Sequence, residues 1–170
     1  RQMCIRDRQE CFQVGLYKQG LLHDLSKYTP EEFKTGIYYF QGDRSPNAAE
    51  KEEKGYSGAW LHHKGRNRHH YEYWIDLGAD RSEGLQGMKM PLKYVIEMFM
   101  DRVAASKIYY KENYTDSHAL DYYKKNRKYI TMHPETRRLL ERLLVMLSRR
   151  GEAYTMGYIR HVVLKGNYKY

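Results

Sequence analysis

The stretch from Pro91 to Tyr110 constrains the fold of this 170-residue chain more than any other. Leu92, Val95, Ile96, Phe99 and Val103 recur at the i, i+3, i+4, i+7 and i+11 positions of a helix, which marks a core-facing stripe. Tyr94, Met98, Asp101, Ala105 and Ile108 form a second, mostly apolar stripe on the other side. A helix that is apolar on two sides has to lie between other elements, so the chain must supply partners for both faces. Those partners are helices, because no segment alternates at period two for more than a few residues. The predicted fold class is therefore all-α, a compact helical bundle.

Start and stop signals place the other helices. Phe12, Leu16, Leu22 and Leu25 suggest one helix over residues 9–26, weakened by Gly15 and Gly20. Thr29-Pro30-Glu31-Glu32 combines an N-cap, a proline at the first helical position and a capping-box glutamate, and predicts a helix to about Phe40. Ser45-Pro46 opens a third, interrupted at Gly55 and Gly58 before the segment Ala59 to Trp74, and Asp76 to Met90 reads as the one long loop. His133-Pro134-Glu135 starts a helix with Leu139, Leu140, Leu143, Leu144 and Leu147 inward, ended by Gly151. Tyr158, Ile159, Val162 and Val163 suggest a last short helix before the polar tail.

Thirty Lys and Arg against 21 Asp and Glu give a net charge of +9, which favours polyanionic partners such as nucleotides, nucleic acid or anionic lipid. No apolar run approaches the ~20 residues that a bilayer requires, so no membrane span is expected. Cys4 and Cys11 match neither a disulfide framework nor a zinc knuckle, and a reducing cytoplasm is the expected compartment. Arg1 to Arg8, RQMCIRDR, resembles a peptide produced when sequencing adaptor is translated. Residues 1–8 are accordingly expected to be non-native, and residues 9–170 to form the single domain.

Two clusters carry side chains suited to chemistry. His23 and Asp24 are adjacent at the end of an apolar run, where both can reach one metal if the chain turns inward, and Lys27 follows one helical turn later, placed to neutralise a phosphate oxygen. The stretch Trp60 to Trp74 holds His62, His63, His69 and His70, half of the chain's eight histidines within nine positions, with Lys64, Arg66 and Arg68 among them. Imidazole is the commonest transition-metal ligand and a proton shuttle near neutral pH. Asp101 lies amid an apolar helix face, and a buried carboxylate is costly unless it is paired or binds a metal. Each feature also has a plain structural reading: a core histidine with a helix-terminal lysine, a surface histidine loop, and a buried salt bridge.

Taken together, HDLSKYTPEEF, HHKGRNRHHYEYW and a later helical aspartate in MDRVAAS resemble the HD-domain superfamily of metal-dependent phosphohydrolases, in a small bacterial and phage-associated branch, over about residues 9–165. The resemblance implies an HD-domain-like bundle in which His23, Asp24 and Asp101 are ligands of a divalent metal (Mn, Fe, Co, Ni or Mg), while Lys27, Arg66, His63, His69 and His70 face the substrate. It also implies a first histidine about 20 residues before the pair, where this chain has Gln2, Met3 and Cys4. The expected activity is hydrolysis of a phosphomonoester or phosphodiester, with a phosphorylated small molecule of nucleotide type as substrate. The alternatives are a non-catalytic module that binds a metal or phosphorylated ligand and contacts nucleic acid, and a helical domain whose histidines are structural.

Overall fold

A computed structural model describes residues 2–42 and 44–170, without the side chains of Gln2 and Met3. Arg1, and the side chains of Gln2 and Met3, two of the three positions at which the HD-domain resemblance would place a first histidine, lie outside the described residues. The fold is mostly α. Among the described residues the helices are α1 (Gln2–Gln13), α2 (Tyr17–Leu22), α3 (Pro30–Tyr38), α4 (Pro46–Lys54), α5 (Gly58–Arg66), α6 (Leu92–Tyr110), α7 (His118–Asn126) and α8 (Pro134–Tyr158). None is long and apolar enough to cross a membrane.

The central helix is α6, and its two apolar stripes are both used. Val95, Ile96, Phe99 and Val103 are fully buried. α6 packs against α1, α7 and α8, and α8 sends Leu139, Leu140, Leu143, Leu144 and Leu147 into the same core. Gly151 breaks α8 where the leucine helix was expected to end: its φ of 80° and ψ of 171° leave the helical region, and a second helical segment follows as far as Tyr158. Ile159–Val163 then follows as a π-helical turn.

Two expected elements come out differently. Residues 9–26 are not one helix, because Gly15 takes a φ of +88°, open to glycine at no steric cost, and turns the chain between α1 and α2. α2 then folds back so closely that a Cβ on Gly20 would stand 2.9 Å from the Phe12 ring. The stretch read as a long loop contains a two-stranded antiparallel hairpin, β1 (Ile75–Leu77) with β2 (Leu85–Gly87), in the register Ile75↔Gly87 and Leu77↔Leu85.

Candidate metal centre

The apolar run before the HD pair does not deliver it by burial, since Leu21 and Leu22 are both 54% exposed. Backbone geometry does the work instead. Neighbouring residues on a helix diverge, but α2 stops at Leu22, His23 is extended (φ −55°, ψ 126°), and Asp24 adopts the left-handed region (φ 56°, ψ 22°). Asp is one of the few residues that tolerates this region, and the reversal turns both side chains into the interior, where His23 is 5% and Asp24 1% exposed. A 3-10 turn, Leu25–Tyr28, follows, so Lys27 sits on a turn and not on a continued helix. Its ammonium nevertheless lies against Asp24 Oδ2, at the edge of the cluster.

The histidine-rich stretch splits across two elements. Ser57 caps α5 by accepting from Trp60 N at 3.0 Å and donating to Glu50 at 2.7 Å, and the helix carries His62 and His63 on its inner side. α5 ends at Arg66, so His69 and His70 come from the connection to the next 3-10 turn, Tyr71–Trp74. Asn67 pins that connection by donating to Ser26 Oγ at 2.7 Å and to the His63 carbonyl at 2.9 Å.

The imidazoles then converge on Asp24 from several sides. His23 Nε2 lies 3.3 Å from Asp24 Oδ2, 3.2 Å from Asp7 Oδ2 and 3.8 Å from Asp101 Oδ1. Asp24 Oδ1 faces His63 Nε2 at 3.3 Å and His69 Nε2 at 3.5 Å. Behind them stand carboxylates. Glu97 accepts from His23 Nδ1 at 2.9 Å and lies 3.2 Å from His69 Nδ1, and Glu32 accepts from His63 Nδ1 at 2.8 Å. Each of these Nδ1 atoms faces a carboxylate, which turns each Nε2 toward the interior.

Two sets of four side chains have ligand atoms within 4.8 Å of one another and so could hold a metal ion: His23, Asp24, His69 and Asp101, and Asp24, His63, His69 and His70. They share Asp24 and His69. His23 Nε2, Asp24 Oδ1, His69 Nε2, His70 Nε2 and both oxygens of Asp7 are buried without a hydrogen bond, an arrangement that a cation satisfies and a closed polar core does not.

The electrostatics agree. Five carboxylates, Asp7, Asp24, Glu32, Glu97 and Asp101, surround these histidines, with Lys27 as the cation. Burial alone would lower the His23 pKa, but the Asp24, Asp7 and Glu97 carboxylates outweigh it and hold the imidazole well above its usual value. Burial pushes Asp7 up to about 6 despite His23. At His70, burial and the neighbouring His69 and His63 act together and hold the ring neutral, well below the ordinary imidazole value.

Residues 5–146 match the model of one protein family. The chain belongs to DUF5662, a family of unknown function. No curated protein and no solved structure matches it. In this DUF5662 chain the matched span includes every residue of the cluster from Asp7 to Asp101.

The structure thus brings His23, Asp24, Asp101, Lys27, His63, His69 and His70 together, and leaves Arg66 exposed at the end of α5 without a polar contact to them among the described residues. Sequence reasoning missed three carboxylates. Glu97 lies one turn before Asp101 on α6, a spacing that was readable. Glu32 was read as a capping-box residue, but its carboxylate serves His62 and His63 instead. Asp7 falls in the segment expected to be non-native, and is the residue that α1 brings to His23.

Proposed function

We propose that this chain is a metal-dependent phosphohydrolase whose divalent metal is held by His23, Asp24, His69 and Asp101, with His63 and His70 completing a second, adjoining position through Asp24. The observation that carries the reading is the pair of carboxylate-backed imidazoles, His23 and His69, whose unpartnered Nε2 atoms meet at Asp24. Buried structural histidines satisfy both ring nitrogens, whereas ligand histidines hold a hydrogen-bonded Nδ1 behind an open Nε2. The motif resemblance to HD-domain phosphohydrolases points the same way. A mixed imidazole and carboxylate set suits Mn, Fe, Co or Ni better than Mg, which prefers oxygen and water.

When bound, a divalent cation supplies Lewis acidity to a phosphoryl oxygen and to an attacking water. The protein's own groups do the rest. Glu97 and Glu32 hold His23, His69 and His63 in one tautomer and orientation. Lys27, about one-third exposed beside Asp24, neutralises charge on an incoming phosphate. His70, held neutral by burial, keeps its imidazole unprotonated for the second position.

The test is Mn²⁺ or Fe²⁺ titration of the chelator-treated chain, followed by Trp60 fluorescence and by hydrolysis of p-nitrophenyl mono- and diesters. The Trp60 ring stacks on His63 at 5.7 Å and meets His70 edge-on at 5.0 Å, so it reports on filling of the cluster. Uptake and turnover that both vanish in Asp24→Ala, with turnover alone reduced in Lys27→Ala, are the expected results. Metal uptake without hydrolysis would leave a binding module, and no uptake would sink the reading.

A further inference from the structure

α8 turns its leucines inward and presents an opposite face that is strongly basic. Arg138, Arg142 and Arg149 follow one another at i, i+4 and i+11, and Arg150 adjoins them; all four are exposed. With Tyr154 they line an open groove of about 550 Å³ floored by Val145 and Met146. None of the four guanidiniums pairs with a carboxylate among the described residues. Arg150 lies 4.3 Å over the Tyr154 ring, and Arg142 lies 5.4 Å over Tyr168 with a 3.4 Å hydrogen bond to the Tyr158 hydroxyl. The groove's own carboxylate, Glu141, is engaged elsewhere, by Arg127 Nε at 2.7 Å and the Tyr123 hydroxyl at 2.8 Å.

The result is a strip of four uncompensated cations along ~18 Å of helix, at 1.5 Å rise per residue, with an exposed aromatic ring at one end. Arginines held on tyrosine faces keep their charge for an outside anion, and the length fits a few nucleotides of an extended strand. We propose that this groove binds single-stranded nucleic acid, with the guanidiniums on successive phosphates and Tyr154 stacked on a base. An anionic bilayer fits less well, since the apolar content is two half-buried side chains between the arginines, with no ridge to enter lipid. The groove faces away from α6, so its occupancy does not depend on the histidine cluster.

Anisotropy of fluorescein-labelled oligouridylate and oligothymidylate with the full chain, across ~50–200 mM salt, tests the proposal. Four phosphate contacts predict a log K against log salt slope of about −3 for a single strand. Arg142→Gln with Arg149→Gln is expected to halve that slope and weaken binding at least tenfold. Tyr154→Ala is expected to weaken it severalfold with the slope unchanged. Metal uptake and circular dichroism should be unaltered in all variants, which separates failure here from failure of the metal reading. Absence of oligonucleotide binding, binding indifferent to the arginine pair, or preference for phosphatidylserine vesicles would overturn the proposal.

Discussion

The leucine seam of α8 and the centre of the histidine cluster beside α6 are both buried, but in opposite ways. Leu139, Leu140, Leu143, Leu144 and Leu147 have no exposed surface and bring no polar atom into the core, so their burial is favourable throughout. In the cluster, burial works against the side chains. Of the ten buried side-chain polar atoms that lack a hydrogen bond among the described residues, six belong to Asp7, His23, Asp24, His69 and His70. Each such atom costs ~1–3 kcal/mol. The cost is concentrated at one point of the fold, where the proposed metal would offset it.

The sharpest break between the two regions should come from the seam. Leu143→Ala is expected to lose ~2–5 kcal/mol of stability, read by denaturant unfolding, while the folded variant still takes up metal with the parent's stoichiometry. A large loss of metal affinity in that variant would show that the regions are not separable.

Next comes a buried polar group that is paired. Lys107 Nζ reaches both Glu10 and Glu152 at 2.8 Å. Burial, offset only in part by Lys107, still pushes the Glu10 carboxyl up to about 7 from an ordinary 4.5. The folded state therefore holds that proton more tightly than the unfolded one, and stability falls as pH rises from about 4.5 to 7. The loss is at most ~3 kcal/mol. Glu10→Gln should flatten the curve in that window and leave metal affinity unchanged.

Within the cluster, Glu97→Gln should weaken metal binding 10- to 100-fold, because it weakens the backing of His23 and His69 while removing no ligand. Calorimetric titration with Mn²⁺ checks this, and an unchanged affinity would make Glu97 merely structural. The smallest effect is graded with pH. The His23 pKa is raised, so its protonated form stabilises the metal-free protein most fully below the usual imidazole value of 6.5, and that contribution fades as pH climbs through the elevated folded value. Proton and metal compete for Nε2. Metal affinity should accordingly rise with pH, by up to tenfold per unit, and a flat profile would remove His23 from the ligand set.

The sequence by itself determined the helical class, because apolar residues at helical spacing in α6 and α8 leave a bundle as the way to bury them. It also determined the HD pair, the histidine cluster and Asp101 as the residues to watch, since those residue types are costly to bury without a partner. Tertiary structure decided the rest. The break at Gly15, the left-handed turn at Asp24 and the end of α5 at Arg66 set which side chains meet, and local periodicity does not encode such turns. The backing roles of Glu97 and Glu32 are fixed by residues 74 positions away at His23 and 31 away at His63. A carboxylate beside a distant imidazole has no signature along the chain, because the interaction depends on distance in space and the sequence records only distance along the backbone.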